Sequence, residues 1–507
     1  MNRRDFTLQL LAAGVAATFA PGALSAQPAL SAPIPFSVGA LRARARRLAA
    51  HPFQPPRSNL PQILHDLSPE QYQDIHYRPE AALWADGPFS AQFFHQGFYY
   101  KTPVRVFQVA EDGAREIHFD SALFDYGAKS FNPARLGDTV GFAGVRLHHR
   151  LNYPDVLDEL VAFLGASYFR ALGRHMRYGV SARGLAVGTA SDTGEEFPFF
   201  SEFYLERPVD ANSFVIHALM NSQSLTGAYS FTVRPGDDTI TDVVISLYTR
   251  RQVTQIGIAP LTSKFFFGAN ERQNVDDFRP EVHDSDGLMI LTGAGEWLWR
   301  PLVNPERLRI STFSDRNPQG FGLMQRNRNF ETYQDLDAHY ESRPSAWVEP
   351  IGNWGEGGIM LVEIPTSEEI NDNIVAFWRP KTPLPARAEW QGAYRLHWCR
   401  DVTFVTRRMA ATLATRSGRG TLAHSRRFVL DFAGGSLPTV ADAPIRAEIS
   451  ASRGELQHAT TQFNDIAQSW RVTFELVPTG EDPIELRCYL TNGTQTLSET
   501  WCYQWTA

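Results

Sequence analysis

Two acid-bearing turns hold the residues of this chain best suited to proton chemistry. One carries Glu368, Glu369 and Asp372 between two apolar runs, residues 359–364 and 374–378. The other is His283-Asp284-Ser285-Asp286-Gly287, just ahead of the apolar run 288–291. A carboxyl group at the rim of a rigid sheet can be desolvated and aimed, as a general acid requires. Two carboxyls on separate loops facing one cleft are the minimum equipment for cleaving a glycosidic bond. One protonates the leaving oxygen and the other activates water on the opposite face of the sugar. Each turn also has a bland alternative. Acidic turns are commonly just solvated, and Asp286-Gly287 has turn chemistry enough to do nothing but reverse the chain. With 55 acidic residues in the chain, any pairing chosen from spacing alone is one of many.

Other chemistries find little support. Gly352 to Gly358 run into a strand rather than a helix, so they make no dinucleotide loop. No G-x-S-x-G elbow occurs, since Gly179-Val180-Ser181-Ala182-Arg183-Gly184 has one residue too many. His148-His149 lacks the spacing of a zinc helix, and Cys399, Cys488 and Cys502 form no C-x-x-C or Cys/His cluster. No cofactor and no metal are therefore expected. A tight turn at Asn492-Gly493 would put Cys488 opposite Leu497, so pairing of Cys488 with Cys502 stays open. The four lysines, Lys101, Lys129, Lys264 and Lys381, leave few candidates for Schiff-base chemistry. A formal charge of −7 argues against nucleic acid and acidic lipid and suits a neutral ligand. Aromatics reach 12%, which fits sugar-stacking surfaces and large β-sandwich cores equally well.

The elements that must position these turns are strands. Residues 97–109, 199–205, 213–219, 227–233 and 241–248 read as strands punctuated by turns such as Pro235-Gly236-Asp237, which predicts a large antiparallel β-sandwich over 61–378. Residues 155–172 fit helix or strand, with Gly165-Ala166-Ser167 as an interruption. Ser68-Pro69-Glu70-Gln71 predicts a short capped helix over 69–75. Thr366 and Glu369 have capping-box spacing, so 367–371 is expected to make one helical turn. Prolines in 379–388 mark a stiff linker. Beyond it, strands at 389–399, 426–432, 445–450, 469–476, 483–490 and 497–505 predict an immunoglobulin-like sandwich over 389–507. At the other end, residues 27–60 are Pro/Ala-rich with a basic amphipathic piece at 41–50. Residues 1–26 have the grammar of an export signal, and Arg3-Arg4-Asp5-Phe6 fits its twin-arginine version. A soluble periplasmic protein is expected.

Several ordered runs resemble one family. They are Ala91-Gln92-Phe93-Phe94-His95, Phe163-Leu164-Gly165-Ala166-Ser167-Tyr168-Phe169-Arg170, Tyr178 through Leu185, and Gly257-Ile258-Ala259-Pro260-Leu261-Thr262-Ser263. Further on come Asn270-Glu271-Arg272, Pro280 through Asp286, Arg343-Pro344, Trp347-Val348-Glu349-Pro350 and Asp372-Asn373-Ile374-Val375. From about Leu60 to its end the chain resembles the periplasmic glucan biosynthesis proteins G and D of Gram-negative bacteria, and its twin-arginine start makes it most like the D type.

The resemblance implies an all-β fold, a galactose-mutarotase-like supersandwich followed by an immunoglobulin-like sandwich. It implies a part in making osmoregulated periplasmic glucans, with inverting endo-β-1,2-glucanase activity. Asp372 falls at the family's general acid and Asp284 at its general base, which acts through a chain of water and sugar hydroxyls. His283, Glu369, Tyr340 and Arg343 fall at supporting positions. Glu368 and Glu369 would then help keep Asp372 protonated, and His283 or Arg343 would hold Asp284 ionised. Arg343 and Arg183 suit a structural part equally well. Trp84, Trp347, Trp354 and Tyr340 are candidates for stacking on glucose, with core packing as the alternative. Two rivals remain: an inverting transglycosylase in the same site, and a non-catalytic β-1,2-glucan-binding scaffold for a membrane glucosyltransferase. A homodimer is compatible with either.

Overall fold

A computed structural model of the chain describes residues 27–506 apart from 57–59, 128–132, 134–135, 137–139 and 273–274. The export signal read at 1–26 lies outside the described residues. The fold is all-β, and its helices are short, Val38–Ala49 being one of 12 residues. Among the described residues no helix is long and apolar enough to cross a membrane. The chain forms two compact units. One takes in residues up to Pro260 together with Phe377–Trp398, the other Leu261–Ala376 with Cys399–Ala507.

In the first unit two sheets face each other. One has the order Phe89–His95, Phe142–His149, Asp158–Leu164, Tyr168–Ala171, Ser181–Arg183. The other runs from Glu389–Cys399 through Thr239–Thr249, Leu225–Arg234, Phe214–Asn221 and Phe199–Glu206 to Arg105–Ala110 and Gly113–Glu116. Alternation along each strand sends apolar side chains inward, where the rings of Phe163 and Phe169 meet Phe231 edge-on at 5.1 and 5.3 Å. The helix Val38–Ala49, capped by Ser37, lays Leu41 and Ala45 on Phe107, Tyr204, Leu219, Ala228 and Tyr248. Residues 155–172 resolve as two strands, because Gly165 and Ala166 both take positive φ and reverse the chain. The expected helix at 69–75 is Pro69–Gln73 with both capping-box bonds formed. The strand expected at 97–109 begins only at Arg105. Arg183 is buried and paired with Glu195 at 2.8 Å.

The second unit contains both acid-bearing turns. One sheet has the order Arg446–Ala451, Ile484–Thr491, Thr500–Trp505, Trp297–Pro301, Gly287–Leu291, Gly320–Met324, Ser345–Ile351. A four-stranded sheet, Ala411–Arg419, Arg426–Ala433, Ser469–Val477, Glu455–Asn464, packs against it. Met289, Trp297, Trp299 and Trp347 share one core with Phe428, Leu430, Trp470, Val472, Leu486 and Trp501. Trp297–Pro301 lies parallel to Thr500–Trp505, with Trp299 opposite Trp501. The end of the chain thus extends the sheet that carries Gly287–Leu291. All three cysteines are free and buried. Cys488 stands opposite Trp501 and Cys502 opposite Arg487, so the two thiols point to opposite faces of the sheet.

Candidate functional site

Both acid-bearing turns hang from one dipeptide, Lys264–Phe265. The strand Phe265–Phe267 pairs with Val282–His283, and directly after that ladder the backbone N–H of Asp284 donates to the Lys264 carbonyl at 2.9 Å. On the other side the Phe265 N–H donates to Asn373 Oδ1 at 2.9 Å. Asn373 is buried and closes the neck of its own turn. Its side chain donates to the Ile364 carbonyl at 3.1 Å, and its carbonyl accepts from the Ile364 N–H at 2.8 Å. The turn of Asp284 is therefore tied to the Lys264 carbonyl and the turn of Asp372, through its neighbour Asn373, to the adjacent Phe265 N–H.

The side chains around Lys264 form a charged network. Lys264 is buried, and its ammonium donates to Tyr340 Oη at 2.9 Å. An ammonium has no acceptor, so the Tyr340 hydroxyl proton goes the other way, to Glu369. Burial pulls the Lys264 pKa down, the charges of Asp284, Glu369 and Asp372 push it up, Arg343 adds to the fall, and the result is a lowered value. Arg343 is buried too. It donates to Asp284 and, through Nε, to the Ala338 carbonyl at 3.1 Å, with its guanidinium 4.2 Å from the centre of the Tyr340 ring. Such a charge-assisted bond favours the ionised carboxylate.

A second arginine ties the loops together. Arg279 donates to Asp277 (3.0 and 2.7 Å), to Asp335 (2.7 Å) and to both oxygens of Glu369 (3.1 and 2.7 Å). Asp335 in turn caps its own loop by accepting from Asp337 and Ala338 N–H. Burial works to raise the Glu369 pKa, but hydrogen bonds from Arg279 and Tyr340 and the charge of Lys264 outweigh it and leave the value lowered. The capping box expected of Glu369 does not form. Its carboxylate is drawn to Arg279 and Tyr340 instead, and residues 367–371 make turns and bends. Thr366 Oγ1 accepts from the Glu368 N–H and from Asn371.

Tyr340, Arg343, Glu369, Asp284 and Asp372 thus gather around Lys264. His283 is held just behind them. It is fully buried, stacked on Phe265 at 5.3 Å, and places Nδ1 against Gln325 Oε1 and Nε2 against Glu281. The Gln325 amide nitrogen already donates to the His283 and Tyr340 carbonyls, so both ring nitrogens of His283 face acceptors, as an imidazolium requires. Burial opposes that charge, but Glu281, Asp286 and Gln325 outweigh it and raise the His283 pKa. Of the two residues expected to hold Asp284, the one that reaches it is Arg343.

The tryptophans have other surroundings of their own. Trp347 is fully buried, its ring against Trp297 at 5.9 Å on one side and Gly320 on the other. Trp354 precedes Glu356–Glu363, the strand that leads to the acid turn from its far end, roughly 25 Å away at about 3.3 Å per residue. Trp84 belongs to the first unit and packs on Phe214. Gly287 has no turn conformation. It begins a strand, and glycine is required there because a Cβ would sit 2.2 Å from the Trp299 ring. Asp286 accepts from the Arg326 N–H at 3.1 Å.

Lys264, Arg279, Asp277 and Asp335 were not anticipated. Lys264 directly follows the run that ends at Ser263 and Arg279 directly precedes the run that starts at Pro280, and that adjacency is their only mark in the sequence. Among the described residues no group of His, Cys, Asp and Glu is arranged to hold a metal ion.

Comparison with known proteins bears on what this network serves. The family model described as "Periplasmic glucan biosynthesis protein, MdoG" matches residues 36–505. A relative from Rhodopseudomonas palustris named "Glucans biosynthesis protein G" is 48% identical over 514 residues, covering 100% of both chains. Proteins of the same name from Bradyrhizobium diazoefficiens and Ralstonia nicotianae are 46% and 47% identical, covering 100% and 94% of this chain and 100% and 97% of theirs. These relatives carry the G name, so the D-type expectation drawn from Arg3-Arg4 is not supported. Among solved structures, a GH36 α-galactosidase from Geobacillus stearothermophilus aligns with a TM-score of 0.26 at 8% identity, over 50% of this chain and 39% of that one.

Proposed function

This chain belongs to the MdoG family of periplasmic glucan biosynthesis proteins, and from that premise we propose that it trims the glucose backbone of those glucans as an inverting endo-β-1,2-glucanase. The observation that carries the reading is that the turns of Asp284 and Asp372 are tied to the two sides of one peptide bond, Asp284 by its own N–H to the Lys264 carbonyl and Asp372 through Asn373 to the Phe265 N–H, within one charged network. On this reading Asp372 gives its proton to the glycosidic oxygen as the bond from that oxygen to C1 breaks. A water oxygen bonds to C1 from the opposite face, and its surplus proton passes along water and sugar hydroxyls to Asp284. A relayed proton suits Asp284, which is 3% exposed and already bonded to Arg343. Arg343 keeps it charged, and Tyr340, by its hydrogen bond to Glu369, steadies the turn that carries Asp372. His283 acts by fixing the turn that carries Asp284. Export through residues 1–26 would deliver the protein to the periplasm, where a membrane glucosyltransferase supplies the glucan.

Purified protein incubated with linear β-1,2-glucan tests this. Short linear products support hydrolysis, and their loss in Asp372→Asn and Asp284→Asn supports the two roles. Cyclic or lengthened products would mean that a sugar hydroxyl replaces water as the acceptor. Glucan that is bound and unchanged would mean a scaffold and end the enzymatic reading.

A further inference from the structure

We infer that Lys264 is a positioning residue that couples the two halves of the site, its ammonium serving as the shared counter-charge of Asp284, Glu369 and Asp372. The inference deepens the proposed function and rests on it for the roles of Asp284 and Asp372, although the geometry stands by itself.

A lysine that is 2% exposed is rare, because burying an ammonium is costly unless other charges compensate it. Here its hydrogen bond goes to a neutral phenol, Tyr340 Oη, and its ammonium lies 5.0 Å from the centre of the same ring. Compensation comes across space, from two of the three turns that surround it. The turn after Val282–His283 contributes Asp284. The turn Tyr340–Ser342 and the residue after it contribute Tyr340 and the opposing charge of Arg343. The turn closed by Asn373 contributes Glu369 and Asp372.

The peptide bond between Lys264 and Phe265 also fixes both acid-bearing turns. Its carbonyl holds Asp284, and its N–H holds Asn373. The hydrogen-bond chain from Lys264 through Tyr340 to Glu369 has a single direction, because Nζ can only donate. The charge of Glu369 is thereby shared between Arg279 on one side and the Lys264–Tyr340 pair on the other. A general base that must be ionised and a general acid that must be protonated work together only within a window of pH. An ammonium facing both sets where that window lies.

Three variants separate charge from packing. Lys264→Met removes both charge and donor, Lys264→Gln keeps a donor without charge, and Lys264→Arg keeps the charge. Melting temperatures are compared with wild type from pH 4 to pH 8. The expected result is a deficit for Lys264→Met and Lys264→Gln that is small at pH 4 and widens as the carboxylates ionise without their counter-charge. Lys264→Arg should keep a constant offset. On linear β-1,2-glucan, both limbs of the kcat/KM profile should move up by roughly one pH unit in the neutral variants and stay in place in Lys264→Arg. A deficit independent of pH, or Lys264→Gln following Lys264→Arg, would overturn the inference and leave Lys264 as packing. If Lys264→Met does not fold, Lys264→Gln carries the comparison. Absence of turnover in wild type would retire the glucanase reading, while the melting series would still decide the part played by Lys264.

Discussion

Replacing Arg279 by methionine asks whether one guanidinium holds the loops of the site together. Its side chain is 13% exposed, and those of Asp277, Asp335 and Glu369 are 17%, 11% and 29% exposed, so solvent screens these contacts only in part. Hydrogen bonds to a charged group contribute about 1.5–3 kcal/mol each when taken singly. Contacts to one guanidinium do not add, and breaking a buried pair costs about 3–5 kcal/mol. For a pair with some solvent access the lower end applies, about 3 kcal/mol near pH 7. At about 2–4 °C per kcal/mol for a unit of this size, the melting temperature falls by on the order of 10 °C.

The pH dependence follows from the carboxylates. Asp277 is held below its ordinary pKa mainly by its hydrogen bond from Arg279. In Asp335 burial pushes up, but the Ala338 N–H and Arg279 outweigh it, and Glu369 is lowered as well. A lowered folded pKa stabilises the protein above the ordinary carboxylate range, and that stability is lost as pH falls through the lowered values. The gap between wild type and Arg279→Met should therefore be complete at pH 6–7 and close below about pH 4. Calorimetric melting from pH 3 to pH 8 reads it, with Arg279→Lys expected to fall between the two. A variant that melts with wild type at pH 7, or a gap unchanged down to pH 3, would refute the reasoning.

Three other substitutions have defined outcomes. Burial drives the Glu271 carboxyl up to about 7 against a hydrogen bond from the Asn304 N–H. The folded chain then keeps a proton that the unfolded chain sheds, and stability falls as pH rises from about 4.5 to 7. Glu271→Gln should melt with wild type near pH 4.5 and exceed it by roughly 3 kcal/mol above pH 7; a constant difference would contradict this. Arg343→Met should cost about 3–5 kcal/mol in denaturant unfolding, since it removes the guanidinium bonded to the buried Asp284, and adding Asp284→Asn should recover part of the loss. If the double variant is no more stable than the single, the pair is not what sets the cost. Gly287→Ala should lower the melting temperature sharply, because the added methyl meets the Trp299 ring at 2.2 Å; a wild-type melting curve would show that the ring is free to move.

The sandwich strands were legible because one face of each is buried. Leu225–Arg234 and Glu389–Cys399 alternate visibly, and the expected ranges fall within two residues of the observed ones. Glu455–Asn464 and Ala411–Arg419 were missed because polar residues occupy most of their positions. That the turns of Asp284 and Asp372 come together was expected from the resemblance carried by their neighbouring motifs. The contacts of Arg279 were not, because Arg279 and Glu369 stand ninety positions apart and only the folded chain brings opposite charges so distant into one hydrogen-bond fork. Glu369 was misread for the same reason: local spacing suggests a cap, but a guanidinium from another loop binds its carboxylate instead. Trp347 shows the limit of reading by residue type. An indole suits a sugar face, but this one fills the space above Gly320, and nothing in the local sequence marks that contact.

The most direct measurement is the anomeric configuration of the first sugar released from linear β-1,2-glucan, followed by proton NMR before mutarotation blurs it. The account predicts an α-anomeric new reducing end from wild type and no release from Asp372→Asn, with that variant still folded and binding glucan. A β-anomer formed first, or release by Asp372→Asn at the wild-type rate, would contradict it.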